Sequence, residues 1–245
     1  MVRALPIGEE AAYDHSGVPM TDADDLFAAI HAGQADRVRS NLDADASLAA
    51  ARDGEGVSAV MHALYHRQRE GAEMVAARLP ALDVFEAAGL GRVDEVASLV
   101  AGDPSLANAW STDGFTPLHF AAFFGGGGVA AALIAAGADP NLRSRNELEV
   151  MPIHSAVAGG HRDVVVALLE ADADPNVRQR HGWTPLQGAA QSGEAELVDR
   201  LLAAGADPAA VNDGGTSAAD LARLAGHADL AARIGSLAEG AASGG

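Results

Sequence analysis

The 245-residue sequence contains no cysteine and no lysine, and only 4% of its residues are aromatic. The absence of cysteine excludes disulfide bonds, thiolate zinc sites and a cysteine nucleophile. The absence of lysine excludes a phosphate-binding loop of the GxxxxGK type. Because 49% of the residues are nevertheless apolar, the core must consist mainly of alanine, leucine and valine, a composition that favours closely packed helices.

Positive charge is also scarce, since 16 basic residues, all arginine, stand against 34 acidic ones and give a net charge of −18. A field this negative repels the phosphates of nucleic acids and of anionic lipids. We therefore expect neither nucleic acid nor a membrane surface among the partners of this protein.

The stretch between Gly114 and Ala138 carries no charged residue and contains four of the six phenylalanines. Its length is compatible with a membrane-spanning helix. Pro117 and four consecutive glycines at 125–128 interrupt it, however, so the sequence predicts two short helices instead.

Both ends of the chain lie outside any periodic pattern. Residues 1–21 lack the continuous apolar run of a signal peptide and are predicted to be disordered. Residues 239–245, EGAASGG, are predicted to form a flexible tail.

An internal repeat dominates the rest of the chain. One pattern recurs at steps of 33 to 35 residues, as GFTPLHFAAFFG at 114–125, EVMPIHSAVAGG at 149–160, GWTPLQGAAQSG at 182–193 and GTSAADLARLAG at 215–226. In the first half, residues 25–49 match residues 83–107 at an offset of 58. The pattern gives seven units over residues 22–238, with starts near 22, 56, 80, 114, 149, 182 and 215. The second unit is about ten residues shorter than the others, which indicates that its connecting hairpin is missing.

The residue chemistry of each unit predicts helix, turn, helix and an extended connection. Thr116 can cap a helix, and Pro117 follows in the first turn, where no amide donor is needed. The paired alanines at 121–122 allow neighbouring helices to approach closely. Gly137 suits the left-handed residue that ends a second helix.

These features resemble the ankyrin repeat family, including its bacterial members. The resemblance rests on TPLH at 116–119, the paired alanines and GADPN at 137–141, all at this spacing. It implies an all-α ankyrin-repeat solenoid of about seven helix-turn-helix units with short β-hairpin fingers. It also implies a non-enzymatic adaptor that binds another protein through its concave face and finger tips. We expect this adaptor to be cytoplasmic and monomeric and to need no cofactor.

The resemblance assigns structural and binding roles to particular positions. His119 and His154 fill the last position of TPLH, where a histidine links a loop to a helix. Outward positions form apolar and basic ladders across successive units. The candidate partner-binding residues are Tyr65, Phe115, Phe123, Phe124, Val150 and Trp183, with Arg143, Arg145, Arg178 and Arg180 on the finger tips. The arginines suit an acidic segment of the partner, and the aromatic residues suit an apolar anchor.

Phe120 is predicted to point inward and to pack against its own second helix, unlike the three other phenylalanines of the same stretch. For Phe123 and Phe124 two interpretations stay open. They anchor a partner, or they fill the gap beside the shortened second unit.

Two other functions compete with the adaptor. His62 and His66 are four residues apart on a predicted helix, so a metal- or small-molecule-dependent enzyme could use this region, although no third ligand is evident in the sequence. An acidic spacer or inhibitor subunit is the other alternative. No GxSxG motif and no distinct acid-base pair is present, so no catalytic residue and no metal ligand is assigned.

Overall fold

The computed structural model describes residues 22–243, and the predictions made for residues 1–21 and 244–245 lie outside that range. The described residues form fourteen α-helices and three short 3-10 helices. By its internal contacts the chain divides between Ala81 and Leu82 into two compact units, called unit 1 and unit 2 below.

Unit 1 contains two helical pairs. The helices are α1 (Asp22–His31), α2 (Ala35–Ala44), α3 (Ala59–Tyr65) and α4 (Arg69–Ala76), with a 3-10 turn at Ala46–Ala50. Helix α1 contacts α3, and α2 contacts α4, so the first helices of the two pairs stack on each other, as do the second helices. Arg78 joins them further by donating to the carbonyl oxygen of Leu42 (3.0 Å).

Unit 2 contains five helical pairs. Its helices are α5 (Val84–Leu90), α6 (Val93–Gly102), α7 (Pro117–Phe124), α8 (Gly127–Ala135), α9 (Pro152–Gly159), α10 (Arg162–Glu170), α11 (Pro185–Gln191), α12 (Ala195–Ala203), α13 (Ala218–Leu224) and α14 (Ala228–Ser243). The first helices of successive pairs contact one another, as do most of the second helices. Seven pairs in all confirm the all-α repeat architecture that the sequence predicts.

The fingers between the pairs are short hairpin turns. Among the described residues the only isolated β-bridges are Arg52 with Ser58 and Val211 with Ser217, and no longer strand forms. Backbone hydrogen bonds close these turns, such as those from the N–H of Ser111 to the carbonyl oxygen of Phe115 (2.9 Å) and from Gln179 to Trp183 (3.0 Å), and side-chain oxygens add further bonds. Asp53, for example, accepts the backbone N–H groups of Glu55 and Val57, both at 2.9 Å.

Small residues bring the first helices together. Ala121 and Ala122 are fully buried in α7, as are Ala189 and Ala190 in α11. Larger residues fill the rest of the core. Phe120 is 3% exposed, which confirms its inward orientation. Its ring neighbours in unit 2 are Phe85 of the preceding pair and Phe115 of its own finger, at centroid distances of 6.0 and 5.7 Å.

The last helix extends beyond the repeat pattern. Helix α14 continues through Glu239 to Ser243, a segment for which the sequence predicts a flexible tail. Alanine is the strongest helix former, and three alanines between 238 and 242 favour continuation despite Gly240.

Replacement of Phe120 by alanine is expected to lower the free energy of unfolding by about 3–5 kcal/mol, because it removes a buried aromatic ring and leaves a cavity. Urea denaturation of the full chain measures the change. Leu224→Ala is the control, since Leu224 is 81% exposed and its truncation should change stability by less than about 0.5 kcal/mol. Similar losses for both variants would contradict the placement of Phe120 in the core.

Candidate functional site

A buried polar side chain near the start of α7 connects two successive repeats. His119 is 1% exposed, and its Nδ1 accepts the backbone N–H of Thr116 (3.2 Å). The proton therefore resides on Nε2, which donates to the carbonyl oxygen of Val150 at 3.1 Å. One imidazole thus caps its own helix and holds the finger of the next repeat.

The same arrangement recurs in the next two repeats. His154 accepts from the N–H of Met151 (3.2 Å) and donates to the carbonyl oxygen of Trp183 (3.2 Å). Gln187 performs both tasks with its amide, accepting from Thr184 (3.0 Å) and donating to Thr216 (3.0 Å). His119, His154 and Gln187 are called the cap ladder below. The linking role predicted for both histidines agrees with these hydrogen bonds.

Burial keeps the two histidines of the cap ladder neutral. Loss of hydration lowers the pKa of His119 to about 4, against a smaller opposing effect from its hydrogen bond to Val150. Burial likewise lowers the pKa of His154 to about 4, again opposed by hydrogen bonds to backbone carbonyls. Both imidazoles are therefore neutral hydrogen-bonding groups at pH 7.

A second ladder lies at the ends of the second helices. Asn108 accepts the backbone N–H of Asp139 and donates to the carbonyl oxygen of Gly137, both at 2.8 Å. Asn141 and Asn176 make the equivalent pairs of bonds to the repeats that follow them. The asparagine of the GADPN motif therefore joins repeats, a role that the sequence analysis did not assign to it.

The fingers are joined directly through their backbones. Each donates one N–H to a carbonyl of the finger before it, with distances of 2.8–3.1 Å, in the pairs Arg145 to Gly114, Arg180 to Leu148 and Asp213 to His181. Together with the two side-chain ladders, these bonds fix the positions of neighbouring repeats in unit 2. The surface that the repeats carry is therefore largely preformed.

The phenylalanines of the uncharged stretch divide by role. Phe115 is half-buried, with its ring beside the imidazole of His119 at a centroid distance of 5.6 Å. Phe123 is 40% exposed at the end of α7 and makes an edge-to-face contact of 5.1 Å with the half-buried Phe124. The sequence predicts outward positions for Phe115, Phe123 and Phe124, whereas only Phe123 is exposed and the other two are half-buried.

One position on the first helices is exposed in successive repeats of unit 2. It is the seventh residue of α7, α9, α11 and α13, occupied by Phe123, Ala158, Gln191 and Leu224. We call this surface the first-helix face. Leu224, 81% exposed, is a member that sequence reasoning missed, although its register from Ala218 identifies it. Tyr65 occupies the same position of α3 in unit 1 and is 39% exposed.

An open groove of about 450 Å³ adjoins this face between α9 and α11. Its lining includes Ala158, Gly188, Gln191 and Ser192 from the helices, with Trp183 at the finger side. Trp183 is half-buried, and so is Val150 one repeat earlier, although Val150 does not line the groove. Polar and apolar groups are therefore both available to a ligand in the groove.

The four finger arginines are engaged within unit 2. Arg143 pairs with Glu149 (2.8 Å), and Arg180 pairs with Glu147 of the neighbouring finger (3.0 Å). The guanidinium of Arg145 lies over the ring of Trp110 at 4.2 Å. Arg178 donates to the carbonyl oxygens of Gly182 (3.1 Å) and Val211 (2.7 Å). The four cations therefore lie on adjacent fingers, but two of them are already neutralised by glutamates.

His62 and His66 lie in unit 1, and the structure supplies the third partner that the sequence did not reveal. The rings of His62 and His66 are 4.7 Å apart, and the ring of His31 lies 4.3 Å from that of His66. Candidate ligand nitrogens of all three histidines lie within 4.8 Å of one another. This is the group of side chains in unit 1 best suited to hold a metal ion.

Stacked helix-turn-helix pairs joined by short fingers define a helical repeat protein. Comparison with family models gives the family. The ankyrin repeat model matches residues 113–145 and 181–213, and a model for multiple ankyrin repeats matches residues 133–189. Residues 113–213 therefore consist of ankyrin repeats, as these matches within unit 2 show. No curated protein matches the chain. None of the helices in the described residues is both long enough and apolar enough to cross a bilayer.

Protonation of the cap ladder is expected to weaken the fold in mild acid. Unfolded histidine has a pKa near 6.5, whereas His119 and His154 have values of about 4 when folded. Between these values the unfolded chain binds the extra protons, so their contribution to stability is complete above about pH 6.5 and falls as the pH approaches 4. The loss is at most about 3 kcal/mol for each histidine.

Glutamine serves as the matched substitution, because Gln187 already makes both bonds of the ladder in this protein. The free energy of unfolding of the His119→Gln/His154→Gln variant should depend less steeply on pH between 4 and 6.5 than that of the wild type. The comparison uses urea titrations at several pH values, with His181→Gln, an exposed finger residue, as the control. Parallel pH profiles for wild type and double variant would contradict neutral, buried histidines.

The finger arginines should differ in their effect on stability. Arg143→Ser combined with Arg180→Ser removes two exposed ion pairs and is expected to cost less than about 1 kcal/mol. Arg178→Ser removes two hydrogen bonds to backbone carbonyls and is expected to cost about 1–2 kcal/mol. Urea denaturation orders the variants, and a larger loss for the double variant than for Arg178→Ser would refute this division.

Proposed function

We propose that the protein is a non-enzymatic adaptor that binds another protein through the first-helix face of unit 2 and the adjoining fingers. Ankyrin repeats generally serve as protein–protein interaction modules, and this chain contains them in residues 113–213. The proposal includes a cytoplasmic, monomeric protein whose first-helix face needs no cofactor to bind the partner.

The observation that carries the proposal is the exposure of aromatic surface on a preformed scaffold. Phe123 is 40% exposed although it lies within a segment of buried residues, and Leu224 is 81% exposed at the equivalent position. The groove of about 450 Å³ is formed by the repeats of α9 and α11, which lie between the repeats that carry these two residues, and Trp183 is part of its lining. Apolar anchor residues next to a polar groove commonly contribute much of the binding energy of a protein–protein interface.

The exposure of Phe123 favours the anchor over the alternative that the ring only fills a gap. A gap-filling ring is surrounded by its own protein, whereas two fifths of Phe123 remains accessible to solvent. Phe115 and Val150 are half-buried and contact His119 of the cap ladder, Phe115 through its ring and Val150 through its carbonyl oxygen. We therefore assign direct contact with the partner to Phe123, Phe124 and Trp183.

The charges of the fingers indicate the chemistry of the partner near the groove. An acidic segment that binds Arg143 and Arg180 must replace Glu149 and Glu147 as their counter-ions. Such an exchange contributes more to orientation and association rate than to affinity. Association should then slow as salt rises, and replacement of the four finger arginines by serine should flatten that salt dependence.

Site-specific crosslinking in the source cells tests the proposed face. A photoreactive phenylalanine analogue at position 123 should capture a defined partner, and the same analogue at Leu237 serves as the control. Leu237 is 47% exposed on α14, a second helix, so it matches Phe123 in exposure but not in location. Equal adducts from both positions, or none from position 123, would refute the face.

The captured partner then permits a quantitative test. Phe123→Ser/Phe124→Ser should weaken its binding at least tenfold with little change in thermal stability. Val93→Ser/Leu237→Ser, which alters two exposed apolar residues of second helices, should leave binding unchanged. Strong destabilisation by the first variant would favour the gap-filling interpretation. Binding indifferent to the first variant, without destabilisation, would show that the partner binds elsewhere and would refute the anchor.

A further inference from the structure

Three histidines of unit 1 converge where helix α1 packs against helix α3. His62 lies in the last turn of α3, which ends at Tyr65. His66 is the C-terminal cap of the same helix, one turn further along the chain. His31 is the last residue of the neighbouring helix α1. Stacking of α1 on α3 brings the three imidazoles together, with their ligand atoms within 4.8 Å of one another.

The spacing is close to that of a coordination shell. Zinc binds imidazole nitrogen at about 2.0–2.1 Å, so the nitrogens of a tetrahedral site lie about 3.3 Å apart. The ligand atoms need to approach by about 1.5 Å, and the side chains have room to rotate, because His31 is exposed and His62 and His66 are half-buried. The same exposure gives an ion access from solvent.

A carboxylate lies behind one of the imidazoles. Asp53 Oδ2 is 3.5 Å from His62 Nδ1, and its other oxygen, Oδ1, accepts the backbone N–H groups of Glu55 and Val57. Histidines that bind metals commonly donate their second ring nitrogen to such a carboxylate, which fixes the tautomer. Asp53 is therefore placed to orient His62 and to leave its Nε2 to a ligand, and the ring of Phe27 lies at a centroid distance of 5.0 Å from that of His62.

A shared ion would relieve the crowding of these ring nitrogens. Three imidazoles with ligand atoms within 4.8 Å of one another repel when protonated, whereas one divalent ion attracts all three as neutral ligands.

We infer that His31, His62 and His66 bind a divalent transition-metal ion of the zinc class, with Asp53 as a positioning residue for His62. Three nitrogen ligands leave the fourth tetrahedral position to water or to a group on a bound partner. The absence of cysteine favours zinc, nickel or copper(II) over metals that prefer thiolates. This site lies within unit 1 and is independent of the first-helix face of unit 2.

Calorimetric titration of the tag-free, chelator-treated full chain with zinc chloride tests the inference. We expect one zinc per chain with a Kd of about 1 µM or tighter. His31→Gln, His62→Gln and His66→Gln should each weaken binding at least tenfold. His181→Gln, which changes an exposed finger histidine in unit 2, should bind zinc like the wild type.

A second measurement needs no substitution and so does not depend on the folding of variants. X-ray absorption of the zinc-loaded wild-type chain should show three imidazole ligands and one further oxygen or nitrogen. Fewer than three imidazoles, a Kd well above 10 µM, or equal zinc binding by all four variants would overturn the inference.

Discussion

The stack of repeats in unit 2 depends on one kind of interaction, a buried side chain that caps its own helix and bonds to the next repeat. His119, His154 and Gln187 each satisfy a backbone donor within their repeat and a backbone acceptor one repeat further on. A buried polar group left without such partners costs about 1–3 kcal/mol. Separation of two neighbouring repeats therefore leaves both the side-chain donor and the backbone carbonyl without a partner. This cost couples the repeats of unit 2.

Close approach of the first helices makes this coupling possible. The fully buried alanines of α7 and α11 allow helix contacts that larger side chains would prevent. Asparagine bonds at one end of the repeats and backbone bonds between the fingers complete the connection. Three sets of hydrogen bonds thus hold the exposed row from Phe123 to Leu224 in place. The entropy cost of ordering this surface when a partner binds is therefore small.

Local signals explain what could be predicted from the sequence. Capping residues, paired alanines and the 33-residue spacing predict seven helical pairs because each pair is specified by its own residues. The inward orientation of Phe120 follows from the same register. Contacts across repeats were harder to predict. His31 is 31 residues from His62, and only the stacking of α1 on α3 makes them neighbours. Glu147 and Glu149 pair with finger arginines through turn geometry that composition does not specify.

Hydrogen–deuterium exchange of the His119→Ala variant tests the coupling of repeats most directly. We expect faster exchange at the Thr116 amide, which loses its acceptor, and also in the finger at 144–151, whose Val150 carbonyl loses its donor. Protection around Thr184, which Gln187 caps independently, should change least. Faster exchange confined to the repeat that contains His119, with the finger of the next repeat unchanged, would contradict the account.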